Sequence, residues 1–138
     1  QDIAQALMTL NWWILWAPKD YVFITSDNPF VVVPPPGGKD TNEGCGVLSP
    51  GAATCLPLSR RTCICFRGSG TEIHYGIARR DFARYVNCVV GANSERFIIA
   101  RDKPLLEAVV RRTKADRWRH GSRIQFHAPD PYLAKPAE

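Results

Sequence analysis

The chain has 138 residues, a net charge of +5, 45% hydrophobic residues and 22% charged residues. That length suits a single domain, 1–138, able to bury its own core, and those proportions exclude general disorder. Residues 1–17 lack a basic leader, and the apolar stretch Leu10–Ala17 is too short to cross a bilayer, so the sequence points to a cytoplasmic protein without a membrane segment.

Asp2 to Leu10 places Ile3, Ala6, Leu7 and Leu10 at helical spacing, which predicts a short amphipathic helix ended by Asn11. Trp12 to Trp16 then reads as a strand, and Pro18, Lys19 and Asp20 as a turn. Tyr21, Val22, Phe23, Ile24 and Thr25 are all strand formers, so residues 12–25 are expected to fold back as an antiparallel hairpin. Three tryptophans in five residues fall on both faces of the first strand, where either the fold or a partner has to cover them. A homo-oligomer or a protein partner through this Trp-rich strand is the corresponding expectation.

Ser26, Asp27 and Asn28 interrupt the apolar run, and Pro29 keeps Asn28 out of the α region. The strand must end in a shaped turn, which either satisfies its own backbone or carries a site. Phe30 to Val33 resumes the β pattern before Pro34, Pro35 and Pro36. Residues 37–52 are rich in Gly, Asn, Asp and Ser, a loop long enough to be functional or mobile. It is expected to form one wall of any site.

Thr54–Leu58 and Thr62–Phe66 read as strands around a bend at Ser59, Arg60 and Arg61, with Pro57 at an edge or an end. Gly68, Ser69 and Gly70 predict a hairpin turn into Glu72–Ile77. Arg80–Asn93 carries Phe82, Tyr85, Val86, Val89 and Val90 on one face and is the strongest helix signal, with Asn87 beside the stripe and Gly91 weakening the last turn. Arg96–Ala100 is a further strand, and a helix follows at about 103–113, capped by Asp102 and carrying Leu105, Leu106, Val109 and Val110. Ile124–Phe126 suggests a last strand before an extended tail at about 128–138. The fold class expected is α+β: a mainly antiparallel sheet with two or three helices packed on one face.

Five cysteines, Cys45, Cys55, Cys63, Cys65 and Cys88, are odd in number and form no CxxC pair, which argues for reduced thiols and against a zinc site. Cys63 and Cys65 share one strand face, as small buried hydrophobes would. His120 and His127 lack metal-ligand spacing, and no P-loop, dinucleotide fingerprint or nucleophile elbow occurs, so neither a metal nor a cofactor is expected. Charge is uneven: residues 1–58 have a net charge of −3, and residues 59–138 one of +8. The mostly arginine second half permits a nucleic-acid or other acidic partner, although cations near the end of the last helix also complement its dipole.

Thr25-Ser26-Asp27-Asn28-Pro29 after a Trp-rich strand, then Pro57-Leu58-Ser59, then Asn87 in an amphipathic helix and Arg96-Phe97 in a strand, together resemble a large, mainly bacterial family catalogued as the domain of unknown function numbered 4238. The correspondence spans about residues 11–100. Members carry an upstream segment with a His-Tyr pair that this chain does not show, so the resemblance implies the C-terminal half of that family, and a fragment of a longer protein. It implies no substrate. The expected function is a non-catalytic binding or assembly module. The alternative is a small hydrolase or phosphoryl-handling enzyme at the Ser26-Asp27-Asn28 turn, with Asp27 and His74 as candidate catalytic groups and Ser26, Asn28, Arg60, Arg61 and Asn87 as candidate binding groups.

Overall fold

The computed structural model describes residues 2–33 and 46–117. Its elements are α1 (Ile3–Leu7), β1 (Asn11–Trp16), β2 (Thr25–Ser26), β3 (Val31–Val33), β4 (Ala53–Ser59), β5 (Thr62–Arg67), β6 (Ile73–Ile77), α2 (Arg80–Asn93), β7 (Ile98–Ile99) and α3 (Lys103–Arg117). Five strands form one sheet in the order β3-β4-β5-β1-β6, and β2 pairs with β7 in a separate ribbon. Every neighbouring pair is antiparallel except β1 with β6. The fold is α+β with a mainly antiparallel sheet, as the segregation of strand and helix signals predicts.

Side chains alternate across the sheet and so build two unequal cores. On the inner face Leu15, Val31, Val33, Cys55, Cys63 and Cys65 are buried with Phe82, Val86 and Val90 of α2 and Val109 of α3. On the outer face Leu10, Ile64 and Phe66 form a smaller cluster with Leu7, Trp12, Ile14, Val47 and Leu56. The two long helices therefore share the inner face, while α1 contributes Leu7 to the outer one. Pro57 lies beyond the reach of β3, which pairs only with residues 53–55, so its missing N–H leaves no gap in that ladder.

Two expected hairpins do not form. β1 has no pairing with residues 21–25, because β5 occupies one of its edges and β6 the other. Only Thr25 and Ser26 of the Tyr21–Ser26 run are in a strand, and they pair with Ile99 and Ile98. The turn at Lys19 and Asp20 is present, with Asp20 in the left-handed region (φ 58°). β5 and β6 are likewise not neighbours, since β1 lies between them. The link between them crosses the start of β1, where Gly70 N–H donates to Thr9 O (3.0 Å) and Glu72 N–H to Asn11 Oδ1 (3.1 Å). Gly70 has φ 144°, and a Cβ there would collide with Asn11 Oδ1, so this crossing requires glycine.

Among the described residues no helix is long and apolar enough to cross a membrane. Expectations about residues 34–45, including Cys45, and about the chain after 117, including His120, His127, the strand Ile124–Phe126 and the tail, lie outside the described residues.

Candidate functional site

Residues 17–28 do not form regular structure for most of their length, so their backbone polar groups need other partners. Three groups of side chains supply them. At the β4–β5 bend, the Arg61 guanidinium donates through Nη2 to Ala17 O (3.0 Å) and through Nη1 to Tyr21 O (3.0 Å) and Pro18 O (3.4 Å). The backbone of the same bend completes the contact, with Phe23 N–H donating to Arg60 O (2.9 Å) and Ala17 N–H to Arg61 O (2.7 Å). A fork of fixed donors suits an arc of carbonyls better than a lysine would.

The second fastening is Asn87, wholly buried on α2. Its Oδ1 accepts Ile24 N–H (3.0 Å), and its Nδ2 donates to Val22 O (2.9 Å) and Tyr21 Oη (3.3 Å). An amide carries its acceptor and its donors on separate atoms, so it can accept from one backbone group and donate to another at once. Burial pushes the Tyr21 pKa up, opposed by the bond from Asn87, and the Arg80 guanidinium sits 5.3 Å from the Tyr21 ring centre.

The third is the Ser26-Asp27-Asn28 turn, which closes over the end of α2. Ser26 Oγ donates to Val90 O (3.5 Å) and accepts Asn28 N–H (3.1 Å), while Asn28 Nδ2 donates to Asn93 O (3.4 Å). Those two helix carbonyls belong to the last turn, where no intrahelical donor remains for them. The Asp27 carboxylate accepts Glu95 N–H (3.2 Å) and Arg96 N–H (2.9 Å), and Asp27 N–H donates to Phe97 O (3.4 Å). Some loss of hydration acts to raise the Asp27 pKa. The backbone groups of Arg96, Phe97 and Glu95 together outweigh it and hold the carboxyl below its ordinary 3.8.

The residues singled out from the sequence are thus divided among separate places. Ser26, Asp27 and Asn28 meet residues 90–97, while Arg61 and Asn87 hold neighbouring parts of the 17–24 loop. Arg60 takes part through its carbonyl, its side chain being on an exposed residue. His74 stands in edge strand β6, stacked on Trp13 (centroids 4.2 Å apart, 20° between planes) with Nε2 3.1 Å from Glu72 Oε2. Its carboxylate neighbour is Glu72, not Asp27. The second-half arginines Arg80, Arg84, Arg111 and Arg112 lie on exposed positions of α2 and α3, and Arg79, exposed just before α2, is paired with Asp81 at 3.0 Å. Cys88, on α2, has its pKa raised by burial against the lowering effect of Arg112. Among the described residues, no group of three or more His, Cys, Asp or Glu is placed to hold a metal ion.

The outer sheet face carries a feature that sequence reasoning missed. Register sets Ile14 opposite Tyr75, Trp12 opposite Ile73 and Trp16 opposite Ile77, so these side chains share one face. Trp12 is tied down edge-on to Phe66 (centroids 5.4 Å, 80°) and donates Nε1–H to Leu7 O. Trp16, Ile73 and Tyr75 are 49%, 54% and 71% exposed. The Trp-rich run hinted at it, and Glu72–Ile77 read as a strand, but not as the neighbour of β1, because the two are far apart in sequence.

The Ser26-Asp27-Asn28 turn with its bonds to Arg96 and Phe97 joins the parts of the chain that motif order had linked. A match to the family described as "Protein of unknown function (DUF4238)" covers residues 1–104. The chain belongs to this family. The match is wider than the 11–100 that the motifs suggest, taking in α1 and the start of α3. Nothing among the curated proteins or the solved structures matches the chain. In this DUF4238 domain the side chains of Ser26, Asp27 and Asn28 bond the turn to the end of α2 and to the bend that follows it, which is the chemistry of a latch.

The latch has a pH signature. A carboxyl with a folded-state pKa below 3.8 contributes stability above that value and loses it as pH falls through the lowered folded pKa. Asp27→Asn, which cannot accept two N–H groups as an anion does, is therefore expected to melt below the unaltered protein at pH 7. The gap should close as pH is lowered below about 4. Thermal melts of both proteins from pH 7 to pH 2 check this, and a gap independent of pH would refute it.

Proposed function

We propose that this DUF4238 domain is a non-catalytic assembly module that associates with another protein chain through the outer face of β1 and β6, a second copy being the partner. The observation that supports it is the exposed Ile73 and Tyr75 of edge strand β6 together with the exposed Trp16 of neighbouring β1 on the same face. Aromatic side chains bury large apolar area on association, a gain set against the freedom the two chains lose. Edge strand β6 offers a second route, because in the described sheet its outer backbone groups have no strand partner and a further strand can add there. An antiparallel copy with Tyr75 opposite Tyr75 brings Ile73 opposite Ile77 on the same face, so the strand is self-complementary in its apolar positions.

The hydrolase alternative has less support in this geometry. Both Asp27 oxygens and the Ser26 hydroxyl are engaged by backbone, and His74 is turned to Glu72 and Trp13.

Light scattering after size exclusion tests the proposal. The mass of the unaltered protein should rise above 15.4 kDa with concentration, and Tyr75→Glu should return it to the monomer value without loss of folding. Placing a charge on that face opposes association far more than it disturbs a side chain already 71% exposed. A strict monomer up to about 1 mM, where association is worth only ~4 kcal/mol, would overturn the reading.

A further inference from the structure

Three thiols crowd together on the inner face of the β4–β5 hairpin. Cys55 and Cys65 are direct cross-strand partners with Sγ atoms 3.0 Å apart, and Cys63 Sγ lies 3.9 Å from Cys65 Sγ. All three are free and have 0% exposure.

The ladder itself selects the pair that can be joined. Antiparallel pairs alternate between those that exchange two backbone hydrogen bonds and narrower ones that exchange none. Pro57 has no N–H, so its pair with Cys63 must be of the narrow kind. Alternation then makes Leu56 with Ile64 the hydrogen-bonded pair and Cys55 with Cys65 narrow again. A narrow pair has Cα atoms about 4.5 Å apart, inside the ~4.4–6.8 Å that a disulfide spans. The two sulfurs have about 1 Å to travel to reach the ~2.05 Å bond length. Cys63 and Cys65, two apart on one strand, point the same way and have no such facing geometry.

We propose that Cys55 and Cys65 form a redox-active dithiol that closes to a cross-strand disulfide when the protein meets a small disulfide oxidant. In the first step one cysteine sulfur attacks the oxidant, forming a mixed disulfide and expelling one small thiol. In the second, the facing cysteine attacks the protein sulfur of that mixed disulfide and expels the other small thiol. Two S–H bonds on the protein are replaced by one S–S bond, and the two protons and two electrons leave on the two small thiols. Cys63 is the third thiol of the cluster. Thiol donation from Cys55 and then Cys65 holds its pKa below the ordinary thiol value, while the bond to Cys63 pushes Cys55 up and burial pushes Cys65 up. Because the cluster is buried, oxidation requires local opening of the hairpin, so the modification reports on that opening. Once formed, the bridge ties together the two strands whose bend carries Arg61, the fastening of the 17–21 segment.

The experiment is incubation of the native full chain with excess oxidised glutathione, followed by thiol quenching, intact mass and non-reducing peptide mapping. The expected product is lower in mass by about 2 Da, retains three of the five thiols and yields a linked peptide pair containing Cys55 and Cys65. Cys63→Ala should still form this bridge, whereas Cys55→Ala and Cys65→Ala should not. The unaltered protein carries the test should a variant fail to fold. Retention of all five thiols, stable glutathionylation without a bridge, or a bridge through Cys45 or Cys88 would each overturn the proposal.

Discussion

Asn87→Leu is expected to lower the unfolding free energy by about 3 kcal/mol. The substitution keeps the branched outline of the side chain but adds bulk on a fully buried position, so some overpacking adds to that loss. It strands Ile24 N–H and Val22 O, the two backbone groups that Asn87 serves, in a region where Ile24 is itself 2% exposed. Each buried backbone group left without a partner costs about 1–3 kcal/mol. Against a whole-domain stability of roughly 5–15 kcal/mol, the loss is large. Urea unfolding should show a lower midpoint with unchanged slope, and hydrogen exchange at the Ile24 amide should accelerate. Asn87→Asp separates the two bonds, since it retains an acceptor for Ile24 but cannot donate to Val22. A loss below about 0.5 kcal/mol for Asn87→Leu, the usual range for neutral surface changes, would mean that the 21–24 segment does not depend on this amide.

Gly91→Ala should also destabilise, although alanine is the better helix former by about 1 kcal/mol. The reason lies in α3, which packs directly across this turn of α2. A Cβ added at Gly91 would stand 2.6 Å from Val109 Cγ1, 3.4 Å from Thr113 Cγ2 and 3.5 Å from Ile98 Cδ1. Val109 and Thr113 are 2% and 1% exposed, and the branched Val109 has little rotamer freedom in a helix, so the neighbours cannot simply turn away. Overpacking of this kind costs about 1–3 kcal/mol and outweighs the propensity gain. The expected net loss is about 1–2 kcal/mol, and Gly91→Leu should cost more. Val109→Ala supplies the decisive comparison, because it removes the methyl that the new Cβ meets. The double variant should be more stable than the sum of the single losses predicts, by a coupling of about 0.5–3 kcal/mol. Simple additivity would show that α2 and α3 do not meet at this point.

Both predictions concern residues the sequence made visible without explaining. Asn87 stood beside an apolar stripe and Gly91 near a helix end, and each has its meaning from chain far away: residues 21–24 for the first, Val109 for the second. Asp27 is the same case, since its location in a turn was plain while its partners, the amides of residues 95 and 96, are set by how β2 meets β7.

What the sequence determined by itself is the set of elements governed by local periodicity and local breakers. The apolar stripe of Arg80–Asn93 yielded α2 with the same bounds, the two strand-like runs on either side of the Ser59-Arg60-Arg61 bend yielded β4 and β5, and the cap and proline near residue 103 located the start of α3. These follow from 3.6- and two-residue periods and from turn chemistry, which act within a few residues. Tertiary structure alone decided which strands pair. The apolar run Tyr21–Thr25 has strand composition, yet β5 and β6 occupy both edges of β1, and hydrogen bonds from Asn87 and the Arg61 bend replace a ladder there. β6 follows β5 closely in sequence but is separated from it by β1, which leaves Ile73 and Tyr75 on an open edge. Strand pairing depends on which edges are free once the whole sheet has assembled, and that is a property of contacts between distant residues which no local pattern encodes.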